Sequence, residues 1–265
     1  MAVSLKDKWV LITGASSGFG AAAARLFGAE SARLLLGARR VDRLERVAAE
    51  ARAAGAAEAH AHFLDVASTA SVEAFMAWAR QMMAPGEPQA ARLDVLVNNA
   101  GGAQGFDPVM EAKDEDWEAM IQSNVLGVLR MSRAALPLMI RNPGSSILNI
   151  GSIAGRVAYE GGAAYCAAKA GELQITRALR LELCGTGVRV CTIDPGMAET
   201  EFSLVRFKGD AARAGKVYEG VQPLTAEDVA EIMVWVASRP PHVNIDELVV
   251  KPTDQAAIHK VYRRK

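Results

Sequence analysis

Short apolar runs alternate with longer amphipathic stretches along the chain. Lys8–Thr13, Arg33–Gly37, Glu58–Leu64, Leu93–Val97, Ser145–Gly151 and Gly187–Ile193 read as strands, with a last one over Asp246–Val250. Several are apolar at nearly every position, which marks strands buried on both faces of a parallel sheet. Helical patterns lie between them. They cover Ala21–Glu30, Val41–Ala54, a stretch capped by Ser68 or Ser71 and running to about Met83, Asp114–Ile140 with Pro137 near its end, and Glu160–Leu183. Thr225, in Thr-Ala-Glu-Asp, caps a further helix to about Ser238. Ala84–Gln89 and Gln104–Glu111 read as loops. Met197–Gly220 is polar and long for a plain connection, so a mobile lid or substrate loop is expected there. Strand and helix alternate throughout, without an internal repeat. The pattern predicts a single α/β domain over residues 1–265, a doubly wound parallel sheet with helices on both faces.

Composition narrows the function more than the fold. The 265 residues suit one large domain, and 51% apolar content supplies its core. Thirty basic and thirty acidic residues cancel, so neither nucleic acid nor an anionic membrane is an expected partner. The basic end, Val261–Lys265, is short and expected to be solvated. Three cysteines, Cys166, Cys184 and Cys191, have no framework spacing and fit a reducing, cytoplasmic setting. Met1–Lys8 has no apolar signal core, and no run of about 18 apolar residues suggests a membrane span. Four histidines without ligand spacing leave no expected metal site.

The first strand runs into Gly14-Ala-Ser-Ser-Gly18-Phe-Gly20 and then into a helix. Glycines let backbone approach a ligand, and a helix start offers free N–H groups to phosphate. A pyrophosphate is the implied ligand, although the spacing is not the standard Gly-x-Gly-x-x-Gly. The second strand ends in Arg39-Arg40, where an NAD site would carry an acid. Arginine binds a 2′-phosphate with parallel hydrogen bonds, so NADP(H) is the expected cofactor, held by Arg39 more than Arg40. Asn98–Gly102 places amides and small residues at another strand end. Asn124, inside a helical pattern, could hold a water or bond to backbone.

Tyr165 and Lys169 are four residues apart on a predicted helix and share a face. A nearby ammonium favours the phenolate and lowers the tyrosine pKa. Ser152, upstream on a loop, could bond the same substrate oxygen. Cys166 reads as a small helix residue, not a nucleophile.

In order and spacing, Thr13-Gly-x-x-x-Gly18-x-Gly20, Asp65-Val66, Asn98-Asn-Ala-Gly101, Asn124, Ser152, Tyr165-x-x-x-Lys169 and Pro195-Gly196 resemble the short-chain dehydrogenase/reductase family. The resemblance covers nearly the whole chain and implies a Rossmann-like fold and hydride transfer to or from NADP(H). It implies Tyr165 as acid/base, Lys169 lowering its pKa and holding the nicotinamide ribose, Ser152 holding the substrate oxygen, and Asn124 anchoring a relay water. It implies phosphates on Gly14, Ser16, Ser17, Gly18, Phe19 and Gly20, a 2′-phosphate on Arg39 and Arg40, and adenine beside Asp65 and Val66. Asn99, Ala100 and Gly101 would line the ribose side, with Pro195, Gly196 and Thr200 near the cofactor's amide or phosphates. Homotetramers or dimers are the implied assembly.

Thr200–Asp210, Lys216–Gly220 and His242–Ile245 further resemble the NADP-dependent 3-hydroxy acid dehydrogenase branch, which includes serine dehydrogenases and sulfoacetaldehyde reductases. That implies a small hydroxy acid as substrate. Its acid group needs a cation, with Arg206 first and Arg156 second. The alternative is a carbonyl reductase for neutral or bulkier substrates.

Overall fold

β1 (Trp9–Thr13), β2 (Arg33–Ala38), β3 (Glu58–Phe63), β4 (Val95–Asn98), β5 (Ser146–Ile150), β6 (Arg189–Pro195) and β7 (Glu247–Val250) form one sheet in the order β3-β2-β1-β4-β5-β6-β7. Every pairing in it is parallel. β1, β4, β5 and β6 are buried at every position, which is why their sequences lack polar alternation. The computed structural model describes residues 2–264. Met1 and Lys265, part of the terminal stretches read above, lie outside the described residues.

The helices are α1 (Gly18–Ala29), α2 (Val41–Ala54), α3 (Thr69–Met83), α4 (Asp114–Ile121), α5 (Gly127–Met139), α6 (Ala163–Glu182), α7 (Phe202–Arg206), α8 (Ala211–Lys216) and α9 (Ala226–Ala237). α1, α2 and α9 cover one face, where Phe27, Leu44 and Met233 meet Val10, Ile12 and Leu34. α3, α5 and α6 cover the other, where Phe75, Met131 and Leu179 meet Leu11, Leu35 and Leu96. Successive β1 residues therefore feed opposite cores, as a pleated strand requires. Ser68 caps α3 by accepting from Ser71 N at 3.3 Å, and Thr225 and Asp228 close a capping box on α9. Strand order reverses between β1 and β4. The crevice above their carboxyl ends is where ligands bind in open α/β sheets.

The structure departs from the predicted elements in four places. The long pattern over 114–140 is two helices joined by a π-helical turn at Gln122–Leu126. α1 starts at Gly18, inside the glycine turn, because the turn itself supplies its first residues. The segment after β6 is not a loose loop. It contains α7 and α8 and is tied down: Ser203 Oγ and Tyr218 Oη are 2.7 Å apart, and Lys208 pairs with Asp116 at 2.8 Å. The basic end is also docked. Val261 pairs in a small hairpin of β8 (Gln255–Ala257) and β9 (Lys260–Val261), Arg263 donates to Val217 O at 3.1 Å, and Arg264 pairs with Asp254. Strands of three and two residues are too short to read from periodicity.

Candidate active site

One cavity of about 1310 Å³ opens over the carboxyl ends of the central strands, and nearly all the residues singled out above line it. Its floor is the glycine turn. Gly14 has φ +67°, and a Cβ there would stand 2.8 Å from Ala100 Cα. A Cβ on Gly20 would stand 2.6 Å from Asn99 Nδ2 and from Gly14 O. Only glycine fits either place. Thr13 Oγ1 accepts from Asn99 N at 3.0 Å and Ala100 N at 2.9 Å, and Asn99 Nδ2 donates back to Thr13 O at 2.9 Å. The turn after β1 and the end of β4 are thereby stitched into one cradle. Ser16, Ser17, Gly18 and Phe19 line it, as do Pro195, Gly196 and Thr200, the last directly against Gly18.

At the end of β2, Arg39 is exposed and faces the cavity. Arg40 donates to Ser17 Oγ at 2.6 Å, Ser16 Oγ at 3.3 Å and Glu201 at 2.8 Å. Asp65 and Val66 border the same end. Asp65 Oδ1 accepts from Ala67 N at 3.0 Å, which fixes that turn.

α6 brings Tyr165 and Lys169 to the cavity, and the turn after β5 brings Ser152. Lys169 is buried, and its ammonium donates to Ile150 O at 2.6 Å. Burial lowers its pKa, opposed by the charges of Glu172 and Asp194. Burial raises the Tyr165 phenol, opposed mainly by the Ser152 hydroxyl and then by Arg206. The net shift of the Tyr165 phenol is upward, opposite in direction to the depression expected from Lys169. The ammonium is turned onto a carbonyl, and desolvation of the phenol outweighs the groups that favour its ionised form.

Asn124 lies in the π-turn, 1% exposed. Its amide donates to Gly102 O at 2.9 Å and Met120 O at 2.8 Å, and its oxygen accepts from Gly102 N at 3.1 Å. The side chain thus bonds to backbone, one of the two uses open to it in sequence. It holds the loop that carries Gly101, another wall residue, and it does not itself line the cavity.

Arg206, the last residue of α7, enters the opposite side. It is 8% exposed, and its guanidinium sits 4.5 Å from the Phe106 ring centroid, 5.3 Å from Tyr159 and 5.8 Å from Tyr165. Nε donates to Gly105 O at 3.1 Å, while Nη2 is buried without a partner among the described residues.

The family described as short chain dehydrogenase matches residues 8–209. The chain belongs to the short chain dehydrogenase family. It is 40% identical over 262 residues to an NADP-dependent 3-hydroxy acid dehydrogenase of Schizosaccharomyces pombe, covering 98% of each chain. It is 44% identical over 249 residues to sulfoacetaldehyde reductase 2 of Chromohalobacter salexigens, covering 93% of this chain and 95% of that one. Among solved structures it resembles the closed form of a serine dehydrogenase complexed with NADP⁺, with a TM-score of 0.86, 40% identity, and coverage of 97% of this chain and 100% of that one.

In this short chain dehydrogenase the second arginine candidate does not reach the cavity. Arg156 Nε binds Asp194 at 2.6 Å and Nη2 binds Glu247 at 2.6 Å, and Glu247 also binds Arg177 at 2.7 Å. These partners come from β6 and β7, which no local pattern places beside residue 156. Arg156→Ala is expected to leave substrate KM unchanged. It should destabilise the fold by about 2 kcal/mol, because the Asp194 side chain, 2% exposed, loses its cation. Kinetics beside thermal melts check both halves.

Sequence reasoning missed Glu172, Glu201 and Phe106, whose ring stacks on Tyr159. Glu172, three residues after Lys169 on one helix face, was findable by spacing. The others had no local signal. Cys166 and Cys191 are buried and Cys184 is exposed, all as free thiols. Among the described residues no His, Cys, Asp or Glu group could hold a metal, and no helix is long and apolar enough to cross a membrane.

Proposed function

We propose that this protein interconverts a small hydroxy acid and its carbonyl with NADP(H). The observation that carries the acid is the buried, partner-lacking Arg206 Nη2 beside the Tyr165 ring. A buried cation with a free donor favours an anion more than a neutral group. The cofactor side rests on the glycine cradle, which a single Cβ would fill, and on Arg39 and Arg40 at the end of β2. NADP-dependent relatives and the NADP⁺-complexed neighbour support the same cofactor.

The cofactor supplies the hydride in reduction and accepts it in oxidation. Gly14, Ser16, Ser17, Gly18, Phe19 and Gly20 would hold its phosphates, Arg39 and Arg40 its 2′-phosphate, and Asp65 and Val66 would border the adenine. Asn99, Ala100, Gly101, Pro195, Gly196, Thr200 and Lys169 would line the rest. Arg206 clamps the substrate's carboxylate or sulfonate, so the carbonyl lies against Ser152 and Tyr165. Ser152 donates to the carbonyl oxygen. Tyr165, protonated as burial favours, gives its proton to the developing alkoxide, and in oxidation its phenolate takes the proton back. Lys169 keeps a positive charge close to that phenolate.

The test is NADPH oxidation with malonic semialdehyde, sulfoacetaldehyde, a neutral aldehyde of similar size and a bulky ketone. Turnover of the two anionic carbonyls is expected. Activity on the bulky ketone alone would discard the acid-binding role. Arg39→Ala is expected to raise KM for NADPH about tenfold and leave NADH unaffected, since one charge-assisted contact to the 2′-phosphate is lost. Initial rates with both cofactors check it.

Assembly as a dimer or tetramer through α5 and α6 belongs to the same proposal. It is supported by exposed Leu129 and Leu181 on those helices. A cytoplasmic setting is supported by the three free thiols.

A further inference from the structure

Glu201 stands where the cofactor end of the crevice meets the substrate segment. It immediately precedes α7. Oε2 accepts from Arg40 Nη1 at 2.8 Å and Oε1 from Arg43 Nη1 at 2.7 Å. Arg40 also holds Ser16 and Ser17 of the glycine turn. Five residues after Glu201, at the other end of α7, comes Arg206. One short helix is thus tied to the cofactor crevice at its start and carries the substrate-side cation at its end.

The charges around Glu201 are unequal. Arg39, Arg40 and, from the first turn of α2, Arg43 bring three positive charges to the end of β2, and Glu201 brings one negative, while Asp42 pairs with Arg46. A phosphate monoester carries roughly −1.5 to −2 at neutral pH. Carboxylate and phosphate together match the three arginines, whereas a 2′-hydroxyl leaves them in excess. The Glu201 side chain is 40% exposed and each of its arginines 41%, and pairs of that exposure are weak by themselves. A second anion that pins the Arg40 guanidinium removes the entropy cost of holding it against Glu201. The two arginines already hold the Glu201 carboxyl below its usual range, so it is ionised for that contact.

We propose that Glu201 is a positioning residue through which a 2′-phosphate in the cofactor crevice strengthens the seating of α7, and with it Arg206. The inference rests on Arg39 and Arg40 being the 2′-phosphate site. Cofactor choice then acts on the substrate's KM as well as on the cofactor's.

The test uses the full-length enzyme with 2′,5′-ADP or 5′-AMP, each at saturation by its measured Kd, and limited trypsin digestion of the 202–217 segment. Lys208, Arg213 and Lys216 are the exposed cleavage points. In the wild type, 2′,5′-ADP is expected to slow cleavage about fivefold more than 5′-AMP, the scale of a small ion-pair network. In Glu201→Gln the two ligands should protect equally, and Glu201→Asp should restore part of the difference. Arg43→Gln should behave like Glu201→Gln, since Arg43 touches Glu201 but lies outside the cavity lining. It carries the test if the first variant folds poorly. With NADPH, Glu201→Gln should raise KM for the anionic carbonyl more than it lowers kcat. Full retention of the 2′,5′-ADP difference in both variants overturns the coupling. Equal Kd values for the two ligands in the wild type overturn the 2′-phosphate site itself, and the coupling falls with it.

Discussion

Tyr165→Phe is expected to lower kcat about 10³-fold in both directions while NADPH still binds, the scale for removing a positioned general acid. The substitution deletes one oxygen from a ring that is 8% exposed and already packed against Phe202, with centroids 5.5 Å apart, so the fold should persist. The pH dependence gives a second reading of the same residue. Burial raises the Tyr165 pKa, so the phenol is protonated through neutral pH. Reduction uses that protonated form and should be nearly flat through neutral pH. Oxidation needs the phenolate, so its rate should climb about tenfold per pH unit below the phenol's pKa. Should Lys169 depress Tyr165 strongly once substrate and cofactor are in place, oxidation would level off near neutrality instead. Rate profiles in both directions, with Tyr165→Phe as control, decide between these. A residual kcat within about tenfold of wild type would remove Tyr165 from the chemistry.

Arg206→Ala should raise KM for malonic semialdehyde or sulfoacetaldehyde about 100-fold and change KM for a neutral aldehyde of similar size about threefold at most. A charge-assisted contact in a dry site is worth roughly 1.5–3 kcal/mol, and the upper part of that range corresponds to two orders of magnitude. The comparison with a neutral substrate matters because Arg206 also holds structure. Its side chain bonds Gly105 O and covers the Phe106 ring. Its backbone oxygen accepts from Gly105 N at 3.0 Å, a contact that survives truncation. Arg206→Lys keeps the charge but loses the planar fork, and should recover part of the affinity. Equal KM increases for anionic and neutral substrates would make Arg206 a structural residue only.

The fold was legible because each strand's burial is written into its own residues. β1 reads Trp-Val-Leu-Ile-Thr and is buried throughout, and α9 announces its start in Thr225 and Asp228. The cofactor cradle was legible for a related reason. The Gly-x-x-x-Gly-x-Gly spacing between a strand and a helix is itself a local pattern, although the atoms that exclude a Cβ at Gly14 belong to Asn99 and Ala100, and Tyr165 and Lys169 share a helix face whatever surrounds them. Where an outcome hangs on partners distant in sequence, local pattern is silent. The helical pattern over 114–140 cannot reveal that Asn124 Nδ2 is claimed by Gly102 O, nor that the turn around it is π-helical.

The two arginines make the same division plain. Arg206 and Arg156 look alike in the chain, each a basic residue near a motif. Residues distant from both decide which is free to meet a ligand. β6 and β7 bring Asp194 and Glu247 onto Arg156, while Phe106 and Tyr159 surround Arg206 with rings and leave its Nη2 buried without a partner among the described residues. The pKa of Tyr165 belongs to the same class. Its proximity to Lys169 is a property of helix spacing, but its burial, and the two carboxylates beside the lysine, come from packing. The sequence by itself determined the fold class, the glycine turn and the shared helix face of Tyr165 and Lys169, because those follow from backbone geometry and short-range periodicity. The tertiary structure alone decided which arginine lines the cavity and which way the phenol's pKa moves, because charge pairing and desolvation depend on every group that folding brings within a few ångströms.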